Sequence, residues 1–282
     1  MWKNHYYCFV AGLPDIFPDE ADVGFDMVQF KEELKTELKA EDYKLIELIF
    51  LPYDNQNLLK VLNDEYPKLD PLGNISMELW EQELDEDKKG VLPSYFYTFI
   101  QWFREEEGNK KDKVAQERKL LELYYPYILT TKNTFLKEWL TWNLHLKNIL
   151  TGLNCRKYNL EVEDQLLLDN YITQAVAKSN ARDFGLDIDF PDVMELVTLF
   201  EKDNILQLER GMDRLRWERL EEYTLFEYFT IEVILAYTIK LDIIFRWMQL
   251  DEETGKKLFA KFVGELKSSF EFAKEFSLHG QK

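Results

Sequence analysis

The chain has 282 residues, 46% of them hydrophobic and 15% aromatic, and carries a formal net charge of −18. That apolar content is ample for packed cores and excludes a disordered chain. The acidic balance argues against nucleic acid, which needs clustered Lys and Arg, and against direct binding to or insertion into an anionic bilayer.

Only 11 Gly and 8 Pro occur, as suits long helices with few tight turns. The first residues, MWKNHYYCFVAGLPD, lack the longer apolar run and small-residue cleavage site of a signal peptide. They read as a buried first helical turn or a short strand over Tyr6–Val10. Residues 11–24 are rich in turn formers. A helix is expected over Phe25–Lys39, with Phe25, Val28, Leu34 and Leu38 as its apolar stripe and Lys and Glu elsewhere. A second covers Glu41–Leu51 and is expected to stop near Pro52, and a third starts with Asp54 as its N-cap. After a loop at 66–76, Ser76 or Asn74 caps a helix from Met77. Pro93 then opens the aromatic helix SYFYTFIQWFREEE, whose Tyr95, Phe96, Phe99, Trp102 and Phe103 recur at spacings of three and four and read as core.

Further helices are expected over Val114–Tyr125, ending at Pro126, and Thr134–Leu150, ending at Gly152 as C-cap. Residues 164–180 read as helical and 181–192 as a loop. Four helices follow, at Asp192–Phe200, Asp203–Tyr223, Leu225–Leu250 and Glu252–Phe276. In the second of these, Ile205, Leu208, Met212 and Leu215 form a packing seam, while Glu209, Arg210, Asp213 and Arg214 lie mostly off it. Thr224 and Glu227 make a capping box that restarts the helix beyond Tyr223. Leu225–Leu250 is long enough to span a bilayer, but Glu227, Glu232, Lys240, Asp242 and Arg246 interrupt it, so it reads as a buried bundle helix. The fold class expected is all-α, divided into helical lobes at 1–92, 93–160 and 161–282.

Chemistry is sparse in this pattern. Cys8 and Cys155 fit neither a disulfide framework nor a zinc site and read as buried or half-buried free thiols of a reducing compartment. His5, His145 and His279 sit in no metal-binding phrase, and no phosphate-binding glycine loop or nucleophile elbow occurs. Asp187 and Asp189 form a D-x-D pair that reads as turn and cap residues, and acidic pairs such as Glu105–Glu107 and Glu252–Glu253 read as solvated helix ends. No catalytic, cofactor or metal residue is nominated.

A weak threefold pattern does stand out. Asp54-Asn-Gln-Asn57-Leu58, His145-Leu-Lys-Asn148-Ile149 and Asp242-Ile-Ile-Phe245-Arg246 begin 91 and 97 residues apart, against 94 for a third of the chain. Such a repeat implies three helical lobes of similar build.

The stretch LERGMDRLRWERLEEY with VILAYTIKLDIIFRWMQL resembles the C subunits of the V-type ATPases, known as d subunits in the eukaryotic enzyme. Leu208-Glu209 and Met212-Asp213 match that family's LE…LD helix. Ala236-Tyr237 and Asp242 match the next helix, and Asp251-Glu252-Glu253 before Lys257-Leu258-Phe259 matches the acidic-capped one. The Asp54…Asn57-Leu58 phrase is similar to the family's D-x-x-N-L signature. Phe245-Arg246 departs from it, standing where Asn-Leu is usual. The match is best over about residues 192–265. As a whole the chain is also similar to a bacterial family thought to be encoded among V-type ATPase subunits.

The resemblance implies a three-lobed helical funnel and a non-catalytic central-stalk subunit without cofactor. Its partners would be the rotor shaft subunits and the membrane rotor ring, and its place the cytoplasmic face of the membrane. Asp54, Asn57, Leu58, Asn148, Glu209, Arg210, Asp213, Tyr237, Asp242 and Arg246 are the repeat and interface residues expected to matter. A helical adaptor or assembly factor for a multisubunit complex is the alternative, ahead of a helical-bundle enzyme.

Overall fold

The computed structural model describes residues 4–18, 26–63, 69–85, 90–105, 108 and 111–248. Among them the fold is all-α, with no strand. The helices are α1 (Tyr7–Gly12), α2 (Met27–Glu37), α3 (Ala40–Leu62), α4 (Met77–Leu84), α5 (Ser94–Glu105) and α6 (Lys113–Ile128). They continue with α7 (Thr134–Tyr158), α8 (Tyr171–Lys178), α9 (Val193–Glu201), α10 (Ile205–Thr224) and α11, helical over residues 231–248. Phe25 and the expected helix over Glu252–Phe276 lie outside the described residues.

Several starts follow local rules. Asp26, Ser76, Asp112, Asn133, Asn170 and Asn204 each accept a hydrogen bond from a first-turn amide of the helix they precede. The Tyr6–Val10 strand is replaced by α1, in which no residue is buried, and Cys8 is exposed. Residues 164–180 are helical only from Tyr171, after a 3-10 turn at Glu163–Gln165.

Neither internal proline ends its helix. Pro52 lies inside α3 and Pro126 inside α6. An interior proline costs about 3 kcal/mol. In α3 that cost is outweighed by packing on two sides, because Ile46 and Phe50 enter one apolar cluster and Leu51, Leu58 and Val61 another. Asp54 is consequently a mid-helix residue and caps nothing on α3.

Gly152 is likewise interior to α7. A Cβ there would lie 2.2 Å from Val176 Cγ1 and 3.1 Å from Phe184 Cζ, so the missing side chain lets α8 approach. The true C-cap is Asn159, in the left-handed conformation at φ 52°. The Thr224–Glu227 capping box is absent as well. Thr224 is still in α10, its hydroxyl donates to Leu220 O, and residues 225–230 form the joint before α11.

The first cluster joins α2, the start of α3, α7, α8, α9, α10 and α11 through residues such as Leu34, Phe50, Leu136, Ile149, Leu196, Leu220 and Ile234. The second gathers the rest of α3 with α4, α5 and α6 around Trp80, Phe96 and Phe99. The aromatic stripe of α5 is thus core, with Trp102 half-buried. Leu48 and Leu140 pack against both clusters. Ile205, expected in the α10 seam, is exposed, whereas Met212 and Leu215 are buried. Among the described residues, no helix is long and apolar enough to cross a membrane.

Candidate functional site

One turn of α3, just past Pro52, sends side chains into three other parts of the molecule: α11, α5 and the 70–75 loop. Tyr53 donates its hydroxyl to Asp242 of α11. The Asp54 carboxylate accepts the backbone amides of Asn74 (2.7 Å) and Ile75 (3.0 Å) and the side-chain amide of Asn74 (2.6 Å). Asn55 Oδ1 accepts from Tyr95 of α5 at 2.7 Å. Asn57 closes a two-bond clasp on a single residue: its Oδ1 accepts Asp70 N (2.8 Å) and its Nδ2 donates to Asp70 O (3.0 Å).

The loop held by Asp54 and Asn57 is also held from α2. Lys31, buried on the apolar face between Met27 and Leu34, donates to Leu72 O (2.6 Å) and Gly73 O (3.0 Å) and stands over the Phe50 ring at 4.6 Å. Burial pushes the Asp54 carboxyl up to about 6, against the pull of its hydrogen bonds and of Lys31. Burial also pulls the Lys31 ammonium down to about 8, with Asp54 opposing.

Asn148 on α7 repeats the clasp. Its Oδ1 accepts Leu167 N (2.8 Å) and its Nδ2 donates to Leu167 O (2.9 Å). Thus the asparagines at the same place in the first two repeat phrases, 91 residues apart, each grip both backbone groups of one residue in the following loop. The next residue in each phrase, Leu58 or Ile149, is fully buried. The third phrase carries Phe245 at this place and has no amide to make such a grip.

A second group surrounds Asp213, which is buried although α10's periodicity puts it off the seam. Asp213 Oδ1 accepts from Arg216 at 2.6 Å, and Oδ2 accepts from Arg246 and from Trp247 Nε1 at 2.8 Å. Arg210 lies over the Trp247 ring at 5.4 Å. Asp242, one turn before Arg246 on α11, has its carboxyl raised by burial, opposed by the Tyr53 hydrogen bond and by Arg246.

Between these groups lies a cavity of about 500 Å³ walled by α3, α6, α7, α10 and α11. Its lining is mainly apolar, including Leu59, Leu121, Tyr125, Trp139, Leu140 and Ile243, with Asn55, Asp213, Arg216, Asp242 and Arg246 among its polar members. It sits beside Leu48 and Leu140, where the two apolar clusters meet.

The sequence matches the model of a family described as a protein of unknown function (DUF2764) over residues 3–270. The chain belongs to this family. No curated protein and no solved structure matches it.

Of the residues singled out by sequence, the fold brings Asp213, Asp242 and Arg246 together on the cavity wall, with Arg210 stacked on neighbouring Trp247. Asp54 and Asn57 pin the 70–75 loop, Leu58 is core, and Asn148 grips a separate loop. Glu209 is half-buried on α10. Tyr237 ties down the N-terminal segment by donating to Pro14 O at 3.0 Å and packs on Phe30. Sequence reasoning missed Tyr53 and Lys31, and it gave Asn55, Arg216 and Trp247, which lie within the stretches it singled out, no role of their own. Lys31 had a readable signal, since it falls four residues after Met27 and three before Leu34 on the buried stripe of α2. His145 is half-buried against the edges of Tyr171 and Phe190, and burial lowers its pKa. Asp187 and Asp189 are exposed.

Proposed function

We propose that this protein is a non-catalytic coupling part of the central stalk of a V-type ATPase, joining the rotor shaft to the membrane rotor ring. The observation that supports this reading is the repeated asparagine clasp at Asn57 and Asn148. It falls on two phrases of the internal repeat, the first of which, Asp54…Asn57-Leu58, is similar to the D-x-x-N-L signature of the V-type C subunits, and it gives both phrases a shared physical task. In each, an amide side chain ties a helix to the loop that follows. In this reading the segments 1–92, 93–160 and 161–282 are interleaved lobes of one socket on the cytoplasmic face.

A torque-transmitting part must resist deformation more than it must do chemistry. The α3 turn serves that need by bonding to α5, α11 and the 70–75 loop at once. Packed interiors and satisfied polar networks deform little.

The test is isolation of the tagged chain at its native level from detergent-extracted membranes, followed by mass spectrometry of the intact complex. Co-isolation with ring and shaft subunits in fixed proportion is expected. Complexes that keep ring and shaft but lack this chain would overturn the reading, and association only with incomplete complexes would make it an assembly factor.

A further inference from the structure

We infer that the cavity between α3, α6, α7, α10 and α11 binds an uncharged, largely apolar organic molecule bearing a carbonyl or hydroxyl oxygen. Its volume of about 500 Å³ falls within the range of small-molecule sites, roughly 300–1,000 Å³. Most of its lining is aliphatic or aromatic, which sets the body of the ligand.

The charges on its wall argue for a neutral ligand. Asp213 is already engaged by Arg216 and Arg246, and Asp242 by Tyr53 one turn from Arg246. These two carboxylates and two guanidinium groups balance one another, and the further charged residue of the lining, Glu117, is exposed to solvent. An ionised ligand would lose its hydration and meet counter-charges already committed to one another.

The polar end of the ligand is set by Asn55. This side chain lines the cavity yet is only 7% exposed. Its oxygen is used by the Tyr95 hydroxyl, and its amide nitrogen has no hydrogen-bond partner among the described residues. That nitrogen is free to donate to a carbonyl or hydroxyl oxygen entering the cavity.

Nile red, an uncharged apolar dye with a carbonyl oxygen, is the probe. Titrated into the full chain, its fluorescence is expected to show saturable binding at one site per chain. Leu121→Trp and Leu59→Trp fill the cavity from α6 and α3 respectively, and each is expected to weaken binding at least tenfold. Asn55→Leu should weaken it about two- to tenfold, as for loss of one hydrogen bond. Circular dichroism and thermal melting identify any variant that has lost its fold, so the remaining variants decide. Absence of saturable binding to the unmodified chain would overturn the proposal. So would wild-type affinity in the folded tryptophan variants, or equal displacement of the dye by the anionic probe 1-anilinonaphthalene-8-sulfonate.

Discussion

Replacing Asn148 by Ala deletes both bonds of the α7 clasp and leaves Leu167 N–H and C=O without partners. Leu167 is buried, so each orphaned group bears a desolvation penalty of about 1–3 kcal/mol. A water entering the space left by the amide recovers part of that, which places the cost at about 3 kcal/mol. The same change at Asn57 releases Asp70, which is half-buried and can turn to solvent. There the loss is near that of two ordinary hydrogen bonds, about 1–2 kcal/mol. Urea unfolding read in parallel by tryptophan fluorescence and far-ultraviolet circular dichroism measures both, provided that the two signals and the slopes coincide. Asn148→Ala is expected to lower the midpoint by clearly more than Asn57→Ala. Equal shifts, a reversed order, or a cost below about 1 kcal/mol at Asn148 would refute the view that burial of the gripped peptide sets the worth of the clasp.

Gly152→Ala places a methyl 2.2 Å from Val176 and is expected to cost about 1–3 kcal/mol, with much of it recovered in the Val176→Ala background; thermal melts of the double-mutant cycle decide. Asp54, with its folded pKa near 6 above the unfolded 3.8, binds its proton more tightly in the folded state, so its contribution is full below about pH 4 and is lost as pH rises through about 6. Asp54→Asn removes that slope, so the variant should gain on the parent by about 1–3 kcal/mol between pH 4 and 7; parallel stability curves would count against it. Arg246→Ala should cost only about 1 kcal/mol, because its side chain is 43% exposed and Asp213 keeps Arg216 and Trp247, whereas Asp213→Ala removes the acceptor that the less exposed Arg216 and Trp247 Nε1 share and should cost about 2–3 kcal/mol. Chemical denaturation of the two variants tests that order.

Much of the fold is legible in the chain. The 3.6-residue spacing of apolar side chains and the cap at Ser76 define α4, α5 and α10 closely, and the start of α7. The errors share one cause. Local preference makes helix ends of Pro52, Pro126 and Gly152, and it is worth about 1–3 kcal/mol per residue. Each lies in a helix held by tertiary packing strong enough to override it. Thr224 and Glu227 meet the pattern of a capping box, yet Thr224 turns its hydroxyl back to Leu220 within α10.

The candidate site is legible only as a set of suspects. Asp54, Asn57 and Asn148 draw attention through a repeated phrase, Asp213 and Asp242 through a family resemblance, and Arg246 as a departure from it. Their tasks are not readable, because the partners are set by how helices pack. Asn57 reaches a residue 13 positions on, Asn148 one 19 on, and Asp213 is joined by Arg246 33 positions away. Tyr53 meets Asp242 across 189 residues. That the chain is helical follows from the order of its residues, since periodicity and caps act within a few positions. Which polar groups are buried, and so must be paired, follows from the packing of distant segments, because desolvation depends on what comes to lie above a side chain.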